Sequence, residues 1–177
     1  MKRRIILGFS LIICSVFFMG CNNTIISKDE EAINFLIKND STKIGNASAV
    51  GGIIKSLAGN EYFKDMSLKT TDKPYGLVIN YGINDGMNEG DYINYWDKEK
   101  VKEIIVKNMT FLFILIDNVD IITINIEAPI DINFTLDRGE IEEIYGVDLK
   151  NYRLNNSECD DLITTDKKEA IWSKLNS

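Results

Sequence analysis

Ile122-Thr123-Ile124-Asn125-Ile126-Glu127 and, beyond Pro129, Ile130-Asp131-Ile132-Asn133-Phe134-Thr135-Leu136-Asp137 alternate apolar and polar residues. A period of two puts Ile122, Ile124 and Ile126 on one face and Thr123, Asn125 and Glu127 on the other. The stretch therefore reads as a strand with one buried and one wet face. Proline cannot donate to a ladder, so Pro129 divides the run. The segment after it is a fourth strand, paired with the third as a hairpin or continuing its line after a kink.

Working outward, Asp137 and Glu140 have capping-box spacing for a helix through Ile141, Ile144 and Tyr145, closed by Gly146. Upstream, a long helix starts near Asp97 as N-cap, with Val101, Ile104, Ile105, Leu112, Leu115 and Ile116 as its stripe. Met109–Ile116 is almost wholly apolar, so its last two turns are expected to be buried all round. The run is too short, and too closely bracketed by Lys107 and Asp117, to span a membrane. Before it, Tyr62–Thr70 and Tyr75–Ile83 alternate as two strands joined by Thr71-Asp72-Lys73-Pro74, which has turn chemistry. Residues 84–92 read as a polar loop. A helix opens at Gly45-Asn46, carries Ala49, Val50, Ile53, Ile54 and Leu57, and stops at Gly59-Asn60. Gly51 and Gly52 within it weaken the helix and suggest close packing against a sheet. A first helix starts near Lys28, with Ser27 and Glu30 at capping-box spacing, and runs to about Asn39. Together these give an α+β fold: a single domain with a mainly antiparallel sheet of about four strands and helices packed on a face.

The N-terminus reads differently. Lys2, Arg3 and Arg4 precede an apolar run from Ile5 to Phe18, followed by Met19-Gly20-Cys21. A charged tip, an apolar stretch and a small residue before the cut make a secretory signal. With cysteine at the cut, it resembles the lipobox of bacterial lipoproteins. That resemblance implies a diacylglyceryl thioether on Cys21, acyl chains of the palmitate type, and cleavage before Cys21. Two acyl chains suffice for stable anchoring. The expected organisation is a signal peptide at residues 1–20, a lipidated cysteine and tether at 21–28, an α+β domain at 29–152, and a polar tail at 153–177 whose Ala170, Ile171 and Leu175 form a last short helix. The expected place is the extracytoplasmic face of a bacterial cell membrane.

Composition narrows the function. The 177 residues carry a net charge of −7 and no histidine. Losing Lys2, Arg3 and Arg4 with the signal takes the charge to −10. Such a surface repels nucleic acid and anionic headgroups, so no nucleic-acid partner is expected and the domain is expected to stand off the membrane. The lack of histidine removes Ser-His and Cys-His catalysis and histidine metal sites. Cys14 leaves with the signal and Cys21 is lipidated, so Cys159 has no partner for a disulfide. Its neighbours Glu158, Asp160 and Asp161 oppose thiolate formation.

Three stretches resemble a family known as domain of unknown function 4825. They are Ile44-Gly45-Asn46-Ala47-Ser48-Ala49-Val50 leading into Ile53-Ile54-Lys55-Ser56-Leu57, the hairpin Leu68–Tyr81 around Pro74-Tyr75-Gly76, and Leu112–Asp120. The resemblance covers roughly residues 40–150. It implies one domain of that type and no catalytic residues.

Three constellations could carry chemistry. Asn84-Asp85-Gly86-Met87-Asn88-Glu89-Gly90-Asp91 is rich in oxygens but lacks EF-hand spacing, so a solvated connection is the reading and no metal is expected. Asp117, Asp120, Glu127 and Asp131 are paired-carboxylate candidates, although capping and turn duties explain them better. Tyr92, Tyr95 and Trp96, with Tyr75 second, form the candidate ligand patch, either an exposed recognition surface or a lid over the edge of the core. The expected function is a non-catalytic binding, sensing or accessory lipoprotein with no cofactor. Its partners are the membrane, through the lipid on Cys21, and an envelope protein or small ligand. The alternative is an envelope enzyme acting on a glycan through carboxylates alone, with a pair such as Asp85 and Asp117 in one cleft.

Overall fold

A computed structural model of the chain describes residues 34–152 and 162–177. The expected signal, tether with Cys21 and Ser27–Glu30 cap, and Cys159, lie outside the described residues. Helix α1 is described over residues 34–38. It is followed by α2 (Ala47–Lys55), β1 (Phe63–Lys69), β2 (Gly76–Tyr81), α3 (Glu89–Tyr95), α4 (Lys98–Leu115), β3 (Ile121–Ile126), β4 (Ile132–Asp137), α5 (Arg138–Tyr145) and α6 (Thr165–Leu175).

The four strands form one sheet in the order β1-β2-β3-β4. β1 pairs with β2, and β3 with β4, as antiparallel hairpins, so the run across Pro129 folds back on itself. β2 and β3 are parallel, from Gly76 opposite Ile121 to Tyr81 opposite Ile126. α3 and α4 form the crossover that makes them so: the chain leaves the far end of β2 and returns to the near end before β3 begins. The sheet is α+β in type, mixed, and antiparallel in two of its three joints.

The alternation sets the faces. Leu77, Ile79 and Tyr81 of β2, Ile122, Ile124 and Ile126 of β3, and Phe134 and Leu136 of β4 are buried together. α4 lies in this core. From Asn108 to Ile116 every residue is buried, as the apolar run predicts. Each fully buried Leu, Ile or Phe contributes about 1.5–3 kcal/mol. The loop between α1 and α2 ties off the end of α4: Thr42 N–H donates to Leu115 O (2.9 Å), and Thr42 O accepts from Asp117 N–H (2.9 Å). Ile44 N–H donates to Asn118 Oδ1 (2.8 Å).

Local signals explain most helix ends. Asn46 caps α2 by accepting from Ala49 N–H. Asp137 and Glu140 form a complete capping box on α5, and Gly146 ends that helix. The two glycines of α2 divide their task. A Cβ on Gly51 would meet Met66 of the sheet at 3.4 Å, whereas one on Gly52 would lie 2.5 Å from the Phe35 ring of α1. The close approach at Gly52 is thus to a helix.

Four expectations are corrected. Residues 84–92 are not all loop, because Asn88 accepts from Asp91 N–H (3.1 Å) and starts α3 at Glu89. Seven residues are too few for a helical period to emerge from the sequence. α2 stops at Lys55, so Leu57 is buried from the turn that follows. Tyr62 lies in a 3₁₀ turn, Asn60–Tyr62, ahead of β1. The end of the polar tail belongs to the fold. In α6, Ile171 is buried and Trp172 stacks 5.3 Å from Phe134, so a short apolar stripe suffices to seat the helix on β4.

Candidate functional site

The aromatic residues before α4 occupy the core. Tyr92 and Trp96 are four residues apart and point the same way, and they are 0% and 2% exposed. The Tyr92 hydroxyl donates to Tyr81 O (3.3 Å) and Glu127 O (3.1 Å), tying together the far ends of β2 and β3. Tyr62 meets Tyr92 edge-on at 5.1 Å, Tyr95 meets Trp96 at 5.0 Å, and Tyr81 lies 5.2 Å from Trp96. Such pairs contribute about 0.5–1.5 kcal/mol each beyond the area they bury. Burial pushes the phenols of Tyr92 and Tyr95 up to about 12. The nearby carboxylates of Glu127 (for Tyr92) and Glu61 (for Tyr95) push the same way. Burial raises Tyr81 further, against the neighbouring Asn108 amide.

Tyr75 does not join this cluster. It precedes β2, and its N–H donates to Asp120 Oδ2 (2.6 Å) at the opposite end of the sheet. Six residue steps along β2 separate it from Tyr81, about 20 Å. The expected four-residue patch is therefore two places. Tyr92 and Trp96 are sealed off, Tyr95 closes the core's edge half-buried, and Tyr75 is half-buried beneath Lys73.

Of the acidic candidates, Asp117, Asp120 and Glu127 hold the fold together, whereas Asp131 stands exposed in the turn between β3 and β4. Asp117 pairs with Lys43 (2.8 Å) and Glu127 with Lys64 (3.0 Å). Glu142 accepts from Arg138 Nη1 (3.2 Å) and Leu149 N–H (3.0 Å). Asp85 follows β2, whereas Asp117 precedes β3. Because β2 and β3 are parallel, the two acids stand at opposite ends of the sheet and share no cleft. Asn84 donates to Glu61 O (3.0 Å), and Asn88 is spent as a cap. Among the described residues no three or more acidic or sulfur side chains are grouped to hold a metal ion, and no helix is long and apolar enough to cross a membrane.

Two features are not apparent from motifs. Arg138 is a junction: its Nε donates to Val119 O (2.7 Å), and its Nη2 to Ile116 O (2.7 Å) and Phe113 O (3.0 Å). A cleft of about 500 Å³ lies beside it, under Lys73 and Pro74. The second feature is the outer face of the sheet. Register aligns Asp65, Asn80, Asn125 and Asn133 in one row and Ser67, Val78, Thr123 and Thr135 in the next. Lys69, Gly76, Ile121 and Asp137 form the third row. Asn80 Nδ2 donates to Asp65 Oδ1 (2.5 Å), Asn125 Nδ2 to Asn80 Oδ1 (2.8 Å), and the Thr123 and Thr135 hydroxyls bond at 2.9 Å. A depression of about 190 Å³ sits over Gly76, between Lys69, Pro74 and Ile121. The only sequence signal for this face is the polar half of the alternation.

Fold and surfaces define an α+β domain of one mixed four-stranded sheet with the described helices on one side. The model of the family described as Domain of unknown function (DUF4825) matches residues 36–137, and the chain belongs to that family. No curated protein and no solved structure matches it significantly.

Proposed function

We propose that the chain is a lipid-anchored, extracytoplasmic domain of the bacterial cell membrane that binds, senses or assists and does not catalyse. The anchor reading rests on Gly20-Cys21 behind a basic tip and an apolar run. The observation that carries the non-catalytic reading is the engagement of Asp117, Asp120, Glu127 and Glu142, each of which holds a lysine, an arginine or a backbone N–H. A general acid or base must instead present its proton to a substrate. The glycan-cleaving alternative needs a carboxylate pair across one cleft, and Asp85 with Asp117 is not such a pair.

Crosslinking the tagged protein in its native membranes tests the reading. One enriched envelope protein, or capture of a glycan, is the expected result, with Cys21→Ser releasing the protein from the membrane fraction. Turnover of a cell-wall glycan by the purified protein, lost in an acidic-residue variant, would overturn it.

A further inference from the structure

Parallel strands are ordinarily covered on both faces. Here β2 and β3 are parallel, yet among the described residues the helices pack only on the inner side. Val78, Thr123 and Asn125 stand half-buried on the outer face with no helix over them. From this we propose that the outer face of the sheet recognises a neutral, polyhydroxylated glycan chain. The chain runs across the strands with one ring seated over Gly76. The inference rests on the binding reading above and gives it a ligand class.

Chemistry selects the occupant. The charges of this face stand at its margins, on Asp65, Lys69, Asp137 and the Lys64–Glu127 pair, while its centre is amide, hydroxyl and short apolar groups. A polyanion is repelled by a chain of net charge −7, and a cationic partner finds no acidic cluster at the centre. Protein interfaces draw their energy from Trp, Tyr and Arg anchors, and this face has none. Sugar hydroxyls both donate and accept, and the amides of Asn80 and Asn125 and the hydroxyl of Thr123 do the same. The hydrogen bonds within the ladder use one N–H of each amide and leave the other. They also fix the rotamers before a ligand arrives, which lowers the entropy lost on binding. At about 190 Å³ the depression is smaller than the roughly 300–1,000 Å³ of a small-molecule cavity, so it suits one ring of an extended chain.

Gly76→Val is the direct probe. A Cβ at Gly76 would lie 3.6 Å from Lys69 Cβ, its nearest neighbour, so the substitution fills the depression without a clash. Asn125→Leu removes the central amide. The full-length protein, extracted from membranes in detergent, is titrated with the tetramer of N-acetylglucosamine and co-sedimented with insoluble chitin, a neutral polymer of the same sugar. The wild type is expected to bind both, and each variant to lose about tenfold or more in affinity with its thermal midpoint little changed. Three results would overturn the inference: no binding by the wild type, unaltered binding by Gly76→Val, or a wild-type dimer that Gly76→Val dissociates, since a second copy would then cover the face. Membrane anchoring through Cys21 is read separately by fractionation, so failure here leaves the anchoring result standing.

Discussion

Arg138→Ala removes the residue that joins the end of α4 to the start of α5. The guanidinium makes three bonds to carbonyls of Phe113, Ile116 and Val119 at 2.7–3.0 Å and a fourth to Glu142 at 3.2 Å, with its side chain only 13% exposed. Hydrogen bonds to a charged group contribute about 1.5–3 kcal/mol each. The sum is not additive, because water entering the adjacent cleft re-solvates part of what is exposed. A positive charge at the end of α4 adds about 0.3–1 kcal/mol through the helix dipole. The expected loss is about 3–4 kcal/mol, a large share of the roughly 5–15 kcal/mol typical of a domain. Urea unfolding followed by Trp96 and Trp172 fluorescence should show a lower midpoint at unchanged slope. Arg138→Lys keeps the charge but not the fork, and should fall between the two. An Arg138→Ala midpoint within about 1 kcal/mol of wild type, or a lysine variant equal to arginine, would refute the junction role.

Gly59 sits at φ +85°, and a Cβ there would lie 2.9 Å from Trp96 Cη2, so Gly59→Ala should cost about 1–3 kcal/mol and alter the Trp96 emission. Asp137→Ala breaks the capping box of α5 and should cost about 1 kcal/mol by urea unfolding. Tyr92 and Tyr95 titrate near 12 when folded and near 10 when unfolded. Stability should therefore hold below pH 10 and fall as pH rises from 10 to 12, where the unfolded chain releases protons that the folded one keeps. Tyrosinate absorbance against pH checks this, and a single transition at 10 for all seven tyrosines would contradict it.

The sheet and its faces are legible in the alternation of Leu77, Ile79 and Tyr81, of Ile122 to Ile126, and of Phe134 and Leu136. A period of two leaves each side chain one place to go. The α5 capping box and the all-round burial at the end of α4 are legible for the same reason: each is decided within a few residues. The parallel joint between β2 and β3 is not, because it depends on which end of the sheet α4 returns the chain to. For Tyr92 and Trp96 the sequence left an exposed surface and a lid over the core both open, although their i, i+4 spacing carried the information. A ring count does not say whether a helix face meets core or water. The only local signal for Arg138 is Glu142 at i+4, since its carbonyl partners lie 19 to 25 residues upstream. The outer face is visible only as polar residues between isoleucines, and its rows form only once four strands are in register.

Anchoring through Cys21 underlies the functional account and is open to one direct reading: the mass of the N-terminal peptide from protein extracted from its native membranes. The account predicts a chain beginning at Cys21 and bearing a diacylglyceryl group, with Cys21→Ser yielding neither that mass nor membrane retention. A chain that retains residues 1–20, or an unmodified Cys21 on a protein that leaves the membrane in salt, would contradict it.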